Sequence, residues 1–528
     1  MSKLATHSKS GSAKSAATGG SPNAQGGKRK AVNKPVVIGM MAFAVMNFMT
    51  VVSLRGLPAQ AEYGLVSIFY YLFAAVVFLI PTALVAAELA STFPKQGGVF
   101  RWVGEAFGPH WGFAAVYWQW QAWVLWLPAV LVFGSAALAY IWWPQSFDAA
   151  LAQNKFYSMA VLLVVFWAVT VFTFRGIQAS VRLSTFGGIF GTIIPGAILI
   201  ALGVVYVAMG NPIQMPLNTG FFPDFGNWHS MVLAASIFLF YAGMEMQAVH
   251  VKNLKNPSRD YPLSILIATV ATVAIFVLGT LAVGVIIPPK TINLAQSLLV
   301  AYRDLWASIG VPWLGNVMAF MLAVGVLGQV SVVVAGPSTG LLAVGKAGYL
   351  PHMLQKTNAN GISVPILVLQ ALIVTFLCLI FLVMPSVQSV FQILSQISNI
   401  MFLTMYMVMF VAGIALRYTQ PDIARPFRIP GGNFGMWFVG IVGLTGALIA
   451  GFLSFIPPTQ IGTGSAAIYI GLLVIGIAIE LAIPFIIFAF RKPSWKAPDS
   501  DFEPFNQESS GHKTGNTSRP VPAKAAGR

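Results

Sequence analysis

The sequence predicts an all-α integral membrane protein with twelve transmembrane helices, and three observations carry that expectation. Of its 528 residues, 57% are hydrophobic and only 8% charged, where soluble domains carry roughly 25% charged residues. Segment after segment exceeds the roughly 20 apolar residues a helix needs to cross a bilayer. The basic residues, finally, fall on one side. With the N-terminus inside, 26 of the 30 Lys and Arg residues lie in the two tails and the inner loops, and Lys155, Lys290, Arg303 and Arg55 are the exceptions. Positive residues gather in cytoplasmic loops, so both ends are expected in the cytoplasm, and an odd number of helices would break the agreement. The same distribution argues against nucleic acid as the reason for a net charge of +16.

The expected segments are 36–60, 65–91, 111–141, 156–174, 183–209, 230–251, 262–287, 314–345, 362–384, 387–416, 434–456 and 465–490. No ten-residue alternation of apolar and polar side chains marks a β-barrel. Residues 1–35, rich in Ser, Gly, Ala and Lys, read as a disordered basic tail. Residues 36–490 form the membrane domain, and 491–528 a second polar tail with no feature that assigns it a role. Cys378 is the sole cysteine, so neither a disulfide nor a cysteine metal site forms within one chain. No metal and no cofactor is expected. Gly340 to Lys346 imitates a phosphate-binding loop, but Ala347 stands where Ser or Thr is required and the stretch lies in an apolar helix.

Two segments are interrupted. In the first, Ser53-Leu54-Arg55-Gly56-Leu57-Pro58 breaks the helix; in the sixth, Tyr241-Ala242-Gly243-Met244 weakens it just before Glu245. Ionisable groups at that depth are costly and are usually kept for function. Paired interrupted segments in two halves of a membrane protein point to a solute site in the bilayer interior. Arg55 either faces that site, where its planar fork suits a carboxylate, or snorkels to the outer interface. Glu245 is either a protonation and gating group or an acceptor that holds the unwound segment together. His250 lies near the inner end of the same segment. Glu88 is expected to pack the inner end of the second segment, and Glu480, in the twelfth, to serve structure or a subunit contact.

Several motifs occur in a fixed order. Ala87-Glu88-Leu89 is followed by Phe93-Pro94-Lys95-Gln96-Gly97-Gly98-Val99-Phe100-Arg101-Trp102; then come Gly243-Met244-Glu245, Lys255-Asn256-Pro257-Ser258-Arg259-Asp260-Tyr261-Pro262, Gly336-Pro337-Ser338 with Gly348-Tyr349-Leu350-Pro351, and Pro426-Phe427-Arg428-Ile429-Pro430-Gly431-Gly432. This order resembles the amino acid–polyamine–organocation transporter superfamily, most of all its glutamate/γ-aminobutyrate antiporter branch, over about 36–491. The resemblance implies a leucine-transporter-type fold. Five helices (36–209) are followed by five of inverted topology (230–416) and two more (434–490), with helices 1 and 6 discontinuous. A broken helix frees N–H groups at one end and C=O groups at the other, which suits the carboxylate and ammonium of an amino acid.

On this resemblance Ser53, Arg55, Gly56, Tyr241, Ala242 and Gly243 line a substrate site and Glu245 couples occupancy or protonation to gating. Gln329, Phe402 and Tyr406 shape selectivity. Two departures stand out. Gln329 and Val333 occupy places where the antiporters tend to carry an acidic residue and a tryptophan, and Phe402 stands where they favour tyrosine. Gln121 and Trp123, in the tryptophan-rich third segment, are further candidates to border the cavity. Gly187 and Gly191 permit close helix packing. The implied activity is secondary transport of an amino acid by alternating access across a bacterial inner membrane. The expected form is an antiporter for an acidic or neutral amino acid or its decarboxylated amine. A proton-coupled symporter, a transporter-like sensor, a channel and a homo-oligomer are the alternatives to be weighed.

Overall fold

The computed structural model describes residues 39–505 except 94–96, 143–144, 218–219, 225, 227, 247–253, 459–461, 463, 499 and 501, all within the unit Val37–Arg528. His250 and Lys95 lie outside the described residues. Among these residues every regular element is helical. Eleven helices are long and apolar enough to cross a bilayer, and a shorter apolar helix, Met231–Tyr241, occupies the place of the sixth expected segment.

In chain order the principal helices are α1 Met40–Val51, α2 Leu57–Ala61, α3 Val66–Thr92, α4 Val99–Phe107, α5 Pro109–Ala139, α6 Gln145–Gln153, α7 Lys155–Thr173, α8 Gln178–Ala208, α9 Ser236–Tyr241, α10 Pro257–Gly284, α11 Ser297–Ser308, α12 Leu314–Val344, α13 Val364–Val383, α14 Val387–Thr419, α15 Gly432–Ser454 and α16 Ala466–Ala489. The short helices α4, α6 and α11 fall in stretches that hydrophobic length left as connections. Each follows a turn signal and none is long enough to span lipid.

The centre of the bundle is α5, buried over 94% of its most apolar window. It packs against α14, α12 and α16. Helices α15 and α16, buried over only 33% and 17% of theirs, turn an apolar outer face outward through Phe434, Phe438, Phe452, Ile475 and Ile479. That division follows from the solvent. A helix that faces acyl chains gains nothing by hiding leucine and isoleucine, so burial tracks position in the bundle rather than hydrophobicity.

The tightest helix contact joins α8 to α12. A Cβ placed on Gly191 would lie 2.2 Å from the Gly325 Cα, and one on Gly187 would lie 2.8 Å from the Gly328 Cα. Two backbones approach this closely only where neither side carries a Cβ, and in lipid such dispersion contacts supply much of the association energy.

Two interruptions shape the interior. Helix α1 ends at Val51; Val52 and Ser53 are extended, with ψ of 121° and 116°, before a turn at Leu54–Gly56 leads into α2. The break therefore sits one residue earlier than Ser53-to-Pro58 implied, since Pro58 lies in the first turn of α2, where its missing N–H costs nothing. Helix α9 ends at Tyr241. Ala242 is extended, and Gly243 has φ of 111°, a region that a side chain makes unfavourable.

Candidate functional site

The two breaks face a common small cavity, about the size that holds one water molecule. Thr50, Val51 and Ser53 line it from the first break, Leu239, Phe240 and Ala242 from the second, and Trp123, Trp126 and Phe402 close it from α5 and α14. A helix that stops leaves C=O groups without intrahelical partners, and one that starts leaves N–H groups so. Such a pair of half-helix ends is complementary to a zwitterion. Irregular backbone is tolerated at membrane depth only where it is buried in protein or lines a cavity.

The freed backbone groups have side-chain partners. Gln329, from α12, donates its amide N–H to the Val52 carbonyl at 3.0 Å, and its own oxygen lies 3.5 Å from the Ser53 hydroxyl. The Gly243 N–H donates to the Tyr406 hydroxyl at 2.7 Å. That hydroxyl in turn donates to the Glu245 carboxylate, whose other oxygen accepts from the Gln119 side chain at 2.8 Å. Glu245 is 1% exposed. One hydroxyl from α14 thus reads both the unwound backbone after α9 and the buried carboxylate, while α5 supplies the third contact. Gln60 of α2 donates to the Ser236 hydroxyl at 3.0 Å and ties α2 to α9.

Of the residues read from sequence, Ser53, Ala242, Phe402 and Trp123 come together around the cavity. Gly243 stands beside it, against Thr50 and Trp123. Gln329 and Tyr406 act on the break backbone. Tyr241 does not line the site: it turns away, donates its hydroxyl to the Tyr71 carbonyl at 3.2 Å and packs on Tyr71 and Phe276. Gly56 serves packing, because a Cβ there would lie 2.4 Å from the Phe240 ring. Gln121 also faces elsewhere and donates to Glu480 on α16 at 2.8 Å. Val333 is buried and is not among the cavity residues.

Arg55 does not snorkel. Its side chain is 2% exposed. Its guanidinium lies 5.2 Å from the Trp126 ring centre, 5.7 Å from Phe240 and 5.2 Å from Phe391. Trp126 and Phe240 are also cavity walls, so the cage and the cavity share two rings.

Sequence reasoning missed Thr50, Val51, Trp126, Leu239 and Phe240 as lining, and Gln119 as a partner of Glu245. Gln119 was legible: it lies one turn before Trp123 on the same face, whereas Gln121 is rotated to the opposite side of α5.

A second cluster lies where α3 and α14 end, at the end of the bundle that the charge distribution makes basic. Arg417 grips Glu88 with two nitrogens, at 2.6 and 2.7 Å, the Ile429 N–H adds a bond at 2.8 Å, and Arg425 stands 3.5 Å away. Arg101 pairs with Glu105 at 2.6 Å on α4. The chain after α16 returns to this end. Arg101 donates to the Glu503 carbonyl at 2.6 Å, Phe505 is fully buried against Phe100 and Gly104, and the Ala497 N–H bonds to the Lys346 carbonyl at 2.9 Å.

The chain is similar to several known proteins. A family model described as amino acid permease matches residues 37–479. A protein of Legionella pneumophila, named only as an uncharacterized transporter, is 35% identical over 85% of this chain and 96% of its own length. The glutamate/gamma-aminobutyrate antiporter of Lactococcus lactis is 30% identical over 85% of this chain and 90% of its own. A protein of the same species named as a probable agmatine/putrescine antiporter is 24% identical over 71% and 78%.

Proposed function

We propose, for a chain that belongs to the amino acid permease family, a secondary carrier that moves an amino acid across the membrane by alternating access, by exchange for a second amino acid or its decarboxylated amine. The observation that carries this reading is the meeting of two helix breaks, at Val52–Ser53 and Ala242–Gly243, on one small cavity. The α-amino and α-carboxylate groups take the half-helix ends, and Ser53, Ala242, Trp123 and Phe402 surround the rest. Glu245, held by Tyr406 and Gln119, couples site occupancy to movement of the segment after α9. Its family and the exchange activity that the Lactococcus lactis relative's name records support antiport over a sensor or channel.

The architecture in this reading is twelve crossings, with the sixth made by Met231–Tyr241 and the chain that follows it. Residues 36–209 and 230–416 are inverted repeats. The basic end lies in the cytoplasm of a bacterial cell, with both termini there.

The test is counterflow. Purified protein in proteoliposomes loaded with unlabelled amino acid should take up labelled amino acid at a saturable rate that depends on the internal load. Uptake that is linear in concentration and indifferent to the load would make the protein a channel, and binding with no uptake would make it a sensor.

A further inference from the structure

The caged arginine is the one strongly basic group in the interior without a hydrogen-bonding partner among the described residues. Arg55 Nε, Nη1 and Nη2 all lack hydrogen-bond partners there, and the residue is 2% exposed. Buried guanidinium groups elsewhere in this protein are paired, as Arg417 is with Glu88 and Arg101 with Glu105. The elements packed against Arg55 offer rings in place of anions: Trp126 from α5, Phe240 from α9 and Phe391 from α14. The charged or titratable groups on those elements are His110 and Tyr117 on α5, Tyr241 on α9 with Glu245 four residues beyond it, and Tyr406, Arg417 and Tyr418 on α14, and Glu62 follows seven residues after Arg55; Glu245 is held by Tyr406 and Gln119. Aromatic faces attract a cation but leave its five N–H donors unmet, and an uncompensated buried charge is costly. Such a group awaits an anion.

We infer that Arg55 binds the second, ionised carboxylate of the substrate, so that this carrier selects dicarboxylic amino acids in their anionic form. This rests on the carrier reading above. The α-amino and α-carboxylate groups occupy the break ends, and the side chain passes between Trp126 and Phe240, the two rings that wall both cavity and cage. The arrangement is also selective by charge. The place on α12 where the resemblance leads one to expect an acidic residue holds the neutral Gln329, and its amide is already spent on the Val52 carbonyl. Gln329 therefore adds no negative charge beside the breaks, and the carboxylate that stands there, Glu245, is held by Tyr406 and Gln119 rather than by Arg55. A cation such as putrescine meets repulsion at Arg55, while a neutral isostere such as glutamine can accept a bond through its amide oxygen but leaves the charge unpaired.

Thermal unfolding in detergent and counterflow in proteoliposomes, both on the full chain at pH 7, test this. In the wild type glutamate should compete about 30-fold or more better than glutamine, the scale set by pairing a buried charge. It should also raise Tm where chloride at equal concentration does not. Arg55→Met should bring glutamate and glutamine within about threefold, abolish the glutamate-dependent rise in Tm, and raise Tm without ligand, because it removes an unpaired buried charge. If R55M is less stable than the wild type, or R55M and R55K keep the glutamate preference, Arg55 is structural and the inference falls. Stabilisation by chloride equal to that by glutamate would make the cage a site for a small ion and overturn it too. A wild type that exchanges glutamine as readily as glutamate defeats the Arg55 assignment alone; one that exchanges no amino acid at all defeats the carrier reading.

Discussion

At the residue scale the interior turns on which polar groups have partners. The Tyr406 hydroxyl accepts from the Gly243 N–H and donates to Glu245, so it joins a backbone group that only a broken helix frees to the one carboxylate beside the break. Removing it leaves two buried groups each short of a bond, at a cost of roughly 1–3 kcal/mol apiece. Tyr406→Phe should therefore slow exchange by about tenfold or more while the protein stays folded. Counterflow beside a thermal melt checks this, and an unaltered rate would reduce Tyr406 to packing. Glu245→Gln preserves the shape of the carboxylate and removes its titration, so the pH dependence of exchange should flatten in that variant. The sequence showed Glu245 plainly, as a charge in an apolar run. It did not show the Tyr406 bond, because a helix pattern reports which residues share a face and not which hydroxyl reaches across to another helix.

Elements are held together by means that hydrophobicity does not record. The Gly187 and Gly191 spacing was visible in sequence, but its partner strip, Gly325 and Gly328 on α12, became evident only once the two helices lay together. Gly191→Leu would drive a branched side chain into the Gly325 backbone. It should destabilise the protein by about 3 kcal/mol or prevent its recovery as a monodisperse species; recovery with an unchanged Tm would show that the α8–α12 contact can part freely. The break positions were legible to within a residue, because Gly, Pro and charge interrupt an apolar run. Helix α4 was not, since its nine residues lack the length that marks a span. Just after α2, Glu62 is half-buried, and burial pushes its carboxyl up to about 7. An acid whose folded pKa exceeds its unfolded one loses stability as pH rises between the two, here from about 4.5 to about 7. Glu62→Gln should remove that decline, so its Tm should exceed that of the wild type at pH 8 and match it at pH 4.

At the scale of the whole molecule, the size of the cavity sets the argument. The cavity is too small for an amino acid, so a carrier cycle requires each side to open in turn. The rings around Arg55 and the Gln60–Ser236 bond hold α2, α5, α9 and α14 together on the other side of the breaks. At the basic end Arg417 on Glu88 links α14 to α3, and the returning chain adds a second set of links. Sequence gave the returning chain no role because its contacts are mostly backbone carbonyls. Arg101 binds the oxygens of Glu503 and Pro504, Gln355 binds that of Trp495, and Arg491 stacks 4.1 Å over Tyr349. Composition does not encode such bonds. Phe505 supplies the apolar anchor, buried completely beside Gly104. The segment spans α4 and the end of α12, which must separate if the basic end is to open, so its docking favours the closed conformer. Were that preference about 1 kcal/mol, releasing it would raise the open population about fivefold. A chain ending at Phe490 should then exchange faster than the full chain at neutral pH, and Phe505→Ala should move the rate part of the way. The substrate concentration for half-maximal rate should change less than the maximal rate, since none of the described tail residues is among those that line the cavity. Initial rates in proteoliposomes of matched protein content decide it; a truncated chain no faster than the intact one would mean that the tail rests on the closed end without holding it.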